Sequence, residues 1–82
     1  MMTKYYAGTI EEINGEREYR FYVFFMLKDH EEPHIALDKI AETWYGDNGE
    51  LVDDYYWFGD IAVATGDLKE ISQEVYDVMH SF

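Results

Sequence analysis

The chain has 82 residues, 18 acids against 6 Lys plus Arg for a formal charge of −12, one proline and no cysteine. That length makes one domain, and 48% hydrophobic with 18% aromatic residues is too rich for a disordered acidic tail. The lack of cysteine excludes a disulfide framework, a zinc ribbon and thiol chemistry. No apolar run is long enough to span a bilayer, and Met1-Met2-Thr3-Lys4-Tyr5-Tyr6 lacks a hydrophobic signal region, so a soluble, intracellular protein is expected.

The first local signal is Ile13-Asn14-Gly15-Glu16. Asn-Gly between two strand-like runs predicts a hairpin, because a type I′ turn needs left-handed φ at both central positions. Pairing outward sets Glu12 opposite Arg17, Ile10 opposite Tyr19, Gly8 opposite Phe21 and Tyr6 opposite Val23, with an Arg17–Glu12 ion pair. One face of the second strand carries Tyr19, Phe21, Val23, Phe25 and Leu27; the other carries Glu18, Arg20, Tyr22, Phe24 and Met26. Apolar on both faces at its far end, this strand is expected to be central.

Pro33 suits the first turn of a helix over 33–45, with Leu37, Ile40, Ala41 and Trp44 at helical spacing and Gly46 as the stop. Tyr55-Tyr56-Trp57-Phe58 and Ile61-Ala62-Val63-Ala64-Thr65 follow as two strands joined at Gly59-Asp60. Asp67 with Glu70 resembles a capping box for a last helix that buries Leu68, Ile71, Val75 and Val78, with Met79 and Phe82 beside them. The expected architecture is a single α+β domain over residues 1–82, ordered ββαββα, with a four-stranded antiparallel sheet and two helices.

The charge is unevenly spread. Residues 1–39 hold eight acids and five bases, whereas residues 40–82 hold ten acids and one base. Between Ile40 and Leu68 there is no Lys or Arg, while Glu42, Asp47, Glu50, Asp53, Asp54, Asp60 and Asp67 all occur. Such asymmetry points to an electrostatic partner surface. On a helix beginning at Asp67, the residues Asp67, Glu70, Glu74 and Asp77 would line one stripe, a ladder of carboxylates resembling a phosphate track. The same spacing also suits an ordinary solvated helix face. Tyr55 and Trp57 share one strand face and Tyr56 and Phe58 the other. Two-sided burial is the expectation for Trp57 and Phe58, and Tyr56 could anchor a partner inside an acidic rim.

Catalytic motifs are present only in outline. His30-Glu31-Glu32-Pro33-His34 matches H-E-x-x-H, but that motif holds zinc only on a continuous helix, and Pro33 disfavours helix at Glu32. Asp60 with Asp67-Leu68-Lys69 echoes the D…(D/E)-x-K arrangement of metal-dependent nucleases, at short spacing and on a surface that would repel nucleic acid. Asp47, Glu50, Asp53 and Asp54 lack the calcium-loop pattern. The expectation is a protein without enzymatic activity, cofactor or metal, binding neither nucleic acid nor membrane directly.

In its size, its acidity and its acid tracks over residues 50–60 and 67–77, the chain resembles the phage- and mobile-element-encoded inhibitors of host defence, the anti-CRISPR and anti-restriction proteins. The resemblance implies a cytoplasmic, stoichiometric inhibitor that occupies the basic nucleic-acid-binding surface of a Cas protein or restriction enzyme. It implies that Asp47, Glu50, Asp53, Asp54, Asp60, Glu70, Glu74 and Asp77 steer and pair with Lys and Arg, while Tyr55, Tyr56 or Tyr45 anchors. Reversing Asp53 and Asp54 to lysine is then expected to weaken affinity and leave stability equal or higher. The competing reading is a small acidic adaptor or homodimer unrelated to nucleic-acid enzymes.

Overall fold

The computed structural model describes residues 2–81. Alternating side chains on either side of Gly15 form two long strands, β1 (Lys4–Asn14) and β2 (Arg17–Leu27), paired antiparallel. The turn between them is Gly15-Glu16, and only Gly15 takes a left-handed φ, +65°. That is the type II′ pattern, with glycine at the first central position, instead of the expected I′ turn over Asn14-Gly15. The register therefore moves by two residues: Ile10 faces Phe21, Gly8 faces Val23 and Tyr6 faces Phe25. Two residues is the side-chain period of a strand, so every side chain keeps its expected face. Arg17 faces Asn14, and the ion pair expected with Glu12 is not among those of the described residues; Arg20 pairs with Glu11 instead.

Pro33 opens α1 (Pro33–Tyr45), and Gly46, at φ +99°, closes it by donating its N–H to the Glu42 carbonyl at 2.7 Å. The helix spans the expected residues. A short strand, β3 (Glu50–Val52), follows and pairs with β4 (Tyr55–Phe58) across Asp53-Asp54. Both aspartates have left-handed φ, +53° and +70°, the I′ combination that aspartate tolerates better than most residues. Gly59, at φ +65°, turns the chain into β5 (Ile61–Ile71).

The C-terminal third differs most from expectation. β5 does not stop at Thr65 but continues to Ile71, pairing with β1 on both sides of a register shift that sets Ala7 opposite Lys69 and Thr9 opposite Gly66. Three steps on β5 match two on β1, and the extra residue is taken up next to Asp67 at φ +50°. Asp67 thus belongs to a β-bulge and caps no helix. The bulge is fastened by the buried Thr9 hydroxyl, which donates to the Gly66 carbonyl at 2.9 Å. The last helix is α2 (Gln73–His80), and its cap is Ser72, whose hydroxyl accepts from the Val75 N–H at 3.2 Å. Val75, Val78 and Met79 are exposed, not buried as expected; Phe82 lies outside the described residues.

The sheet is antiparallel with strand order β2-β1-β5-β4-β3. The α+β class and the two helices agree with the sequence reading; the four-stranded ββαββα sheet becomes a five-stranded ββαβββα one. β2 is an edge strand, not a central one. Its far end is apolar on both faces because α1 lies on one side of the sheet and α2 on the other.

The core forms on the α1 side. Ile10, Phe25, Leu27, Leu37, Ala41 and Val63 are buried together, with Tyr6, Val23, Tyr45, Phe58 and Leu68 packed around them. The helix can approach β1 closely because Gly8 has no side chain: a Cβ there would lie 2.9 Å from Leu37 Cδ2. On the opposite face α2 covers only one end, where the Tyr76 ring meets Tyr5 at 4.9 Å and His80 Nε2 lies 2.9 Å from the Phe24 carbonyl oxygen.

Candidate partner-binding surface

The strand order converts the charge asymmetry of the sequence into one of space. Residues 1–39 form β1, β2 and most of α1, while residues 40–82 form β3, β4, β5 and α2. The five bases of the first half therefore lie on the β2–β1 side and on α1, and β3 and β4 carry none. Every acid from Glu42 to Asp77 is exposed. Among the described residues only Glu70 of these has a basic partner, Lys4 at 3.9 Å, in an exposed pair of little energetic weight.

The most structured part of this acidic half is a cleft lined by Asp38, Glu42, Asp47, Tyr56 and Phe58, with Gly46 and Gly49. Leu37 and Ala41 bury one stripe of α1, so Asp38 and Glu42, each one residue further on, fall on its flank. Asp38 accepts from the Thr65 hydroxyl at 2.7 Å, which ties the helix flank to β5. Gly49 lets the loop lie against the Phe58 ring, since a Cβ there would stand 2.6 Å from Phe58 Cζ. The cleft sets three carboxylates beside the half-exposed Tyr56, which suits a lysine ammonium or an arginine guanidinium.

The sequence-predicted residues do not form one site. Asp47 and Tyr56 enter the cleft. Glu50 pairs across strands with Trp57, so it lies on the opposite face of the sheet together with Tyr55. Asp53 and Asp54 form the tip of the β3–β4 hairpin, and Asp60 lies in the next turn. Glu70 faces Tyr6 while Ile61 faces Asn14, so Asp60 and Glu70 are separated by about 26 Å of strand. Glu74 and Asp77 are on α2. The expected carboxylate stripe of Asp67, Glu70, Glu74 and Asp77 does not exist, because the first two residues are in a strand and the last two in a helix. Trp57, expected to be buried, is 40% exposed on the face away from α1; Phe58 packs on the core as expected.

The turn at Asp53-Asp54 adds a backbone cost to the stability expectation for lysine there. Lysine at either position would have to hold a left-handed conformation, which aspartate tolerates better, and this opposes the repulsion relieved.

The outlined catalytic motifs come apart in space. α1 starts at Pro33, leaving His30 in the preceding turn at φ +75°, so the two histidines do not share a helix face. Asp60 lies in the turn before β5 and Asp67 in its bulge, seven residues on, which is about 23 Å of extended chain. Among the described residues no three His, Asp or Glu side chains come together as a metal site.

Two polar contacts outside the cleft have electrostatic consequences. The Tyr45 hydroxyl donates to Glu12 Oε1 at 2.6 Å; burial first, and then the bond to this carboxylate and its charge, push the phenol above its ordinary range. Arg20 pairs with Glu11, and that hydrogen bond raises its already high pKa.

Sequence reasoning missed Asp38 and Glu42, although their spacing from Leu37 and Ala41 carries the signal. It also missed the free edge of β2, which has no local signature. No helix of the described residues is long and apolar enough to cross a membrane. No protein-family model, no curated protein and no solved structure matches the chain.

Proposed function

We propose that the chain is a non-enzymatic inhibitor whose acidic half docks on a positively charged nucleic-acid-binding surface of a host defence complex, a CRISPR effector or a restriction enzyme, and blocks nucleic-acid access. One observation carries this reading: among the described residues the exposed carboxylates from Glu42 to Asp77, on α1, β3, β5, α2 and the turns between elements, stand without basic partners, Glu70 alone excepted. Such a field draws in a basic surface and speeds its capture. The cleft between α1 and β4 offers a seat for one lysine or arginine of the target, between Asp38, Glu42 and Asp47 and against Tyr56. The separation of the acids favours a broad, steering contact over a compact imitation of a phosphate track. A homodimeric module unrelated to nucleic-acid enzymes is the second reading, and the free edge of β2 favours it.

The test is DNA cleavage by a panel of CRISPR effectors and restriction endonucleases, titrated with the protein at low and high salt. One enzyme is expected to be inhibited, and more weakly as salt rises. Asp53→Asn with Asp54→Gly removes two charges and keeps the turn, since Asn-Gly is the best I′ pair. It is expected to weaken inhibition roughly threefold to tenfold while the fold stays intact. No inhibition of any enzyme at low salt, or inhibition indifferent to both salt and this variant, refutes the proposal.

A further inference from the structure

We infer that β2 is a self-pairing edge: two copies of the chain join antiparallel through β2, with Val23 opposite the second copy's Val23, into one continuous ten-stranded sheet. The inference does not depend on the inhibitor reading.

The first observation is the state of the edge. β2 is eleven residues long and outermost in the sheet, whereas the other edge strand, β3, has three residues. Long edges are normally blunted by charges, proline or bulges, because a row of free N–H and C=O groups recruits another strand. Between Tyr19 and Leu27 the only charge is Arg20, which is already held by Glu11. Tyr22 is 63% exposed and Met26 57% exposed on this strand, a large apolar surface to leave in water.

The second observation concerns which groups are free. The two-residue turn makes Asn14–Arg17 a hydrogen-bonded pair, so along the ladder the odd-numbered residues of β2 bond to β1 and the even-numbered ones face outward. Two contacts agree: the outward groups at even positions are met by side chains, Phe24 carbonyl by His80 and Lys28 N–H by Glu31 Oε1 at 2.9 Å. Setting Val23 against its copy pairs Tyr22 with Phe24 and Arg20 with Met26, even with even, as a new ladder requires. The Phe24 carbonyl keeps a second lone pair for the incoming N–H. Glu31 ends the ladder at Lys28.

The third observation selects the register. With Val23 at the centre, Glu18 meets the second copy's Lys28 and Arg17 meets its Asp29, and symmetry repeats both pairs at the other end. Every pair between them is apolar or has one apolar member: Tyr19 with Leu27, Arg20 with Met26, Phe21 with Phe25, Tyr22 with Phe24. Sliding by one pleat in one direction sets Glu18 against Met26 and Arg17 against Leu27. Sliding in the other direction sets Arg20 against Lys28. Residues 17–29 hold three bases and two acids in a chain of net charge −12, so this is where two copies repel least.

Sedimentation equilibrium of the full chain, from low micromolar to near-millimolar concentration, tests the inference. The mass is expected to rise from 9.8 kDa to twice that value. Tyr22→Pro removes an outward N–H without touching the β1 ladder, a substitution edge strands tolerate, and is expected to hold the chain monomeric. Glu18→Lys places like charges at both ends of the pairing and should weaken the dimer about tenfold. Adding Lys28→Glu to that variant restores opposite charges and should recover the dimer, which keeps the test decisive even where Tyr22→Pro fails to fold. A chain monomeric throughout, or a dimer indifferent to Tyr22→Pro or to the charge exchange, overturns the inference.

Discussion

Gly8→Ala tests the contact that positions the helix carrying Asp38 and Glu42. A methyl group at this position would lie 2.9 Å from Leu37 Cδ2, 3.0 Å from Leu37 Cδ1 and 3.4 Å from Leu68 Cδ2. Leu37 is 1% exposed, so it has no open space to retreat into, and α1 must lift from the sheet. Overpacking of this kind costs about 1–3 kcal/mol. Replacing glycine also removes freedom from the unfolded chain, which returns about 0.4–1 kcal/mol, because Gly8 does not need a left-handed φ. The net expectation is a loss of about 1–2 kcal/mol, a fall in Tm of roughly 4–16 °C for a domain this small. Leu37→Ala alone should cost about 2–5 kcal/mol through the cavity it opens. In the double variant the methyl group added at position 8 occupies part of that cavity, so the combined loss should fall short of the sum by about 1 kcal/mol or more. Urea denaturation of the four proteins measures this cycle. A neutral or stabilising Gly8→Ala, or strict additivity, would refute the close approach of α1 to β1.

Tyr45 should be among the last of the eight tyrosines to ionise in an ultraviolet alkaline titration, and Tyr45→Phe should remove that late transition. The raised phenol pKa means the folded state holds its proton more tightly, so this contribution to stability is whole below pH 10 and is lost as pH climbs above it. A Tyr45 that ionises with the exposed tyrosines would remove the Glu12 contact from the account. Ser72→Ala should cost α2 about 1 kcal/mol of local stability, seen as faster amide exchange at Val75 and Tyr76 with the sheet unchanged. Unchanged exchange at those amides would mean that Ser72 is not the cap.

The parts of the fold legible in sequence were those set by local chemistry. Pro33 and Gly46 bound a helix whose apolar spacing is regular, and the structure puts α1 between them. Gly15 marked the hairpin, but a single glycine serves both I′ and II′ turns, and only the pairing decides which. The C-terminal third misled because its local signals point the wrong way. Asp67 and Glu70 have capping-box spacing, and Leu68 with Ile71 has helical spacing, yet pairing with β1 holds all four residues in β5. A bulge at Asp67 adds one residue and so offsets the strict alternation by which a strand is recognised. β3 was missed since three residues carry almost no periodicity; its marker was the aspartate pair, a less usual I′ turn than Asn-Gly. The candidate site followed the same rule. The excess of acids over bases was legible, since Lys69 is the one base among ten acids of residues 40–82; their scattering over two faces and two ends of the sheet required the register.

The two proposals place opposite demands on charge, and the strand order lets one chain meet both. A carboxylate field that draws in a basic target also drives copies of the chain apart, and with a formal −12 on each the repulsion grows with the product of the charges. Self-association is then tolerable only through a surface where acids do not outnumber bases. β2 is such a surface, since Arg17, Arg20 and the following Lys28 outnumber Glu18 and Asp29, and β3 with its acidic flanking turns is at the other side of the sheet. In a dimer joined through β2 the two β3 edges stand nine strand spacings apart, about 43 Å, several screening lengths at physiological salt. The acidic halves would not feel one another, and each would keep its cleft between α1 and β4 open to a separate cationic surface. An equally acidic chain with its charges spread along β2 could have one of these properties but not both.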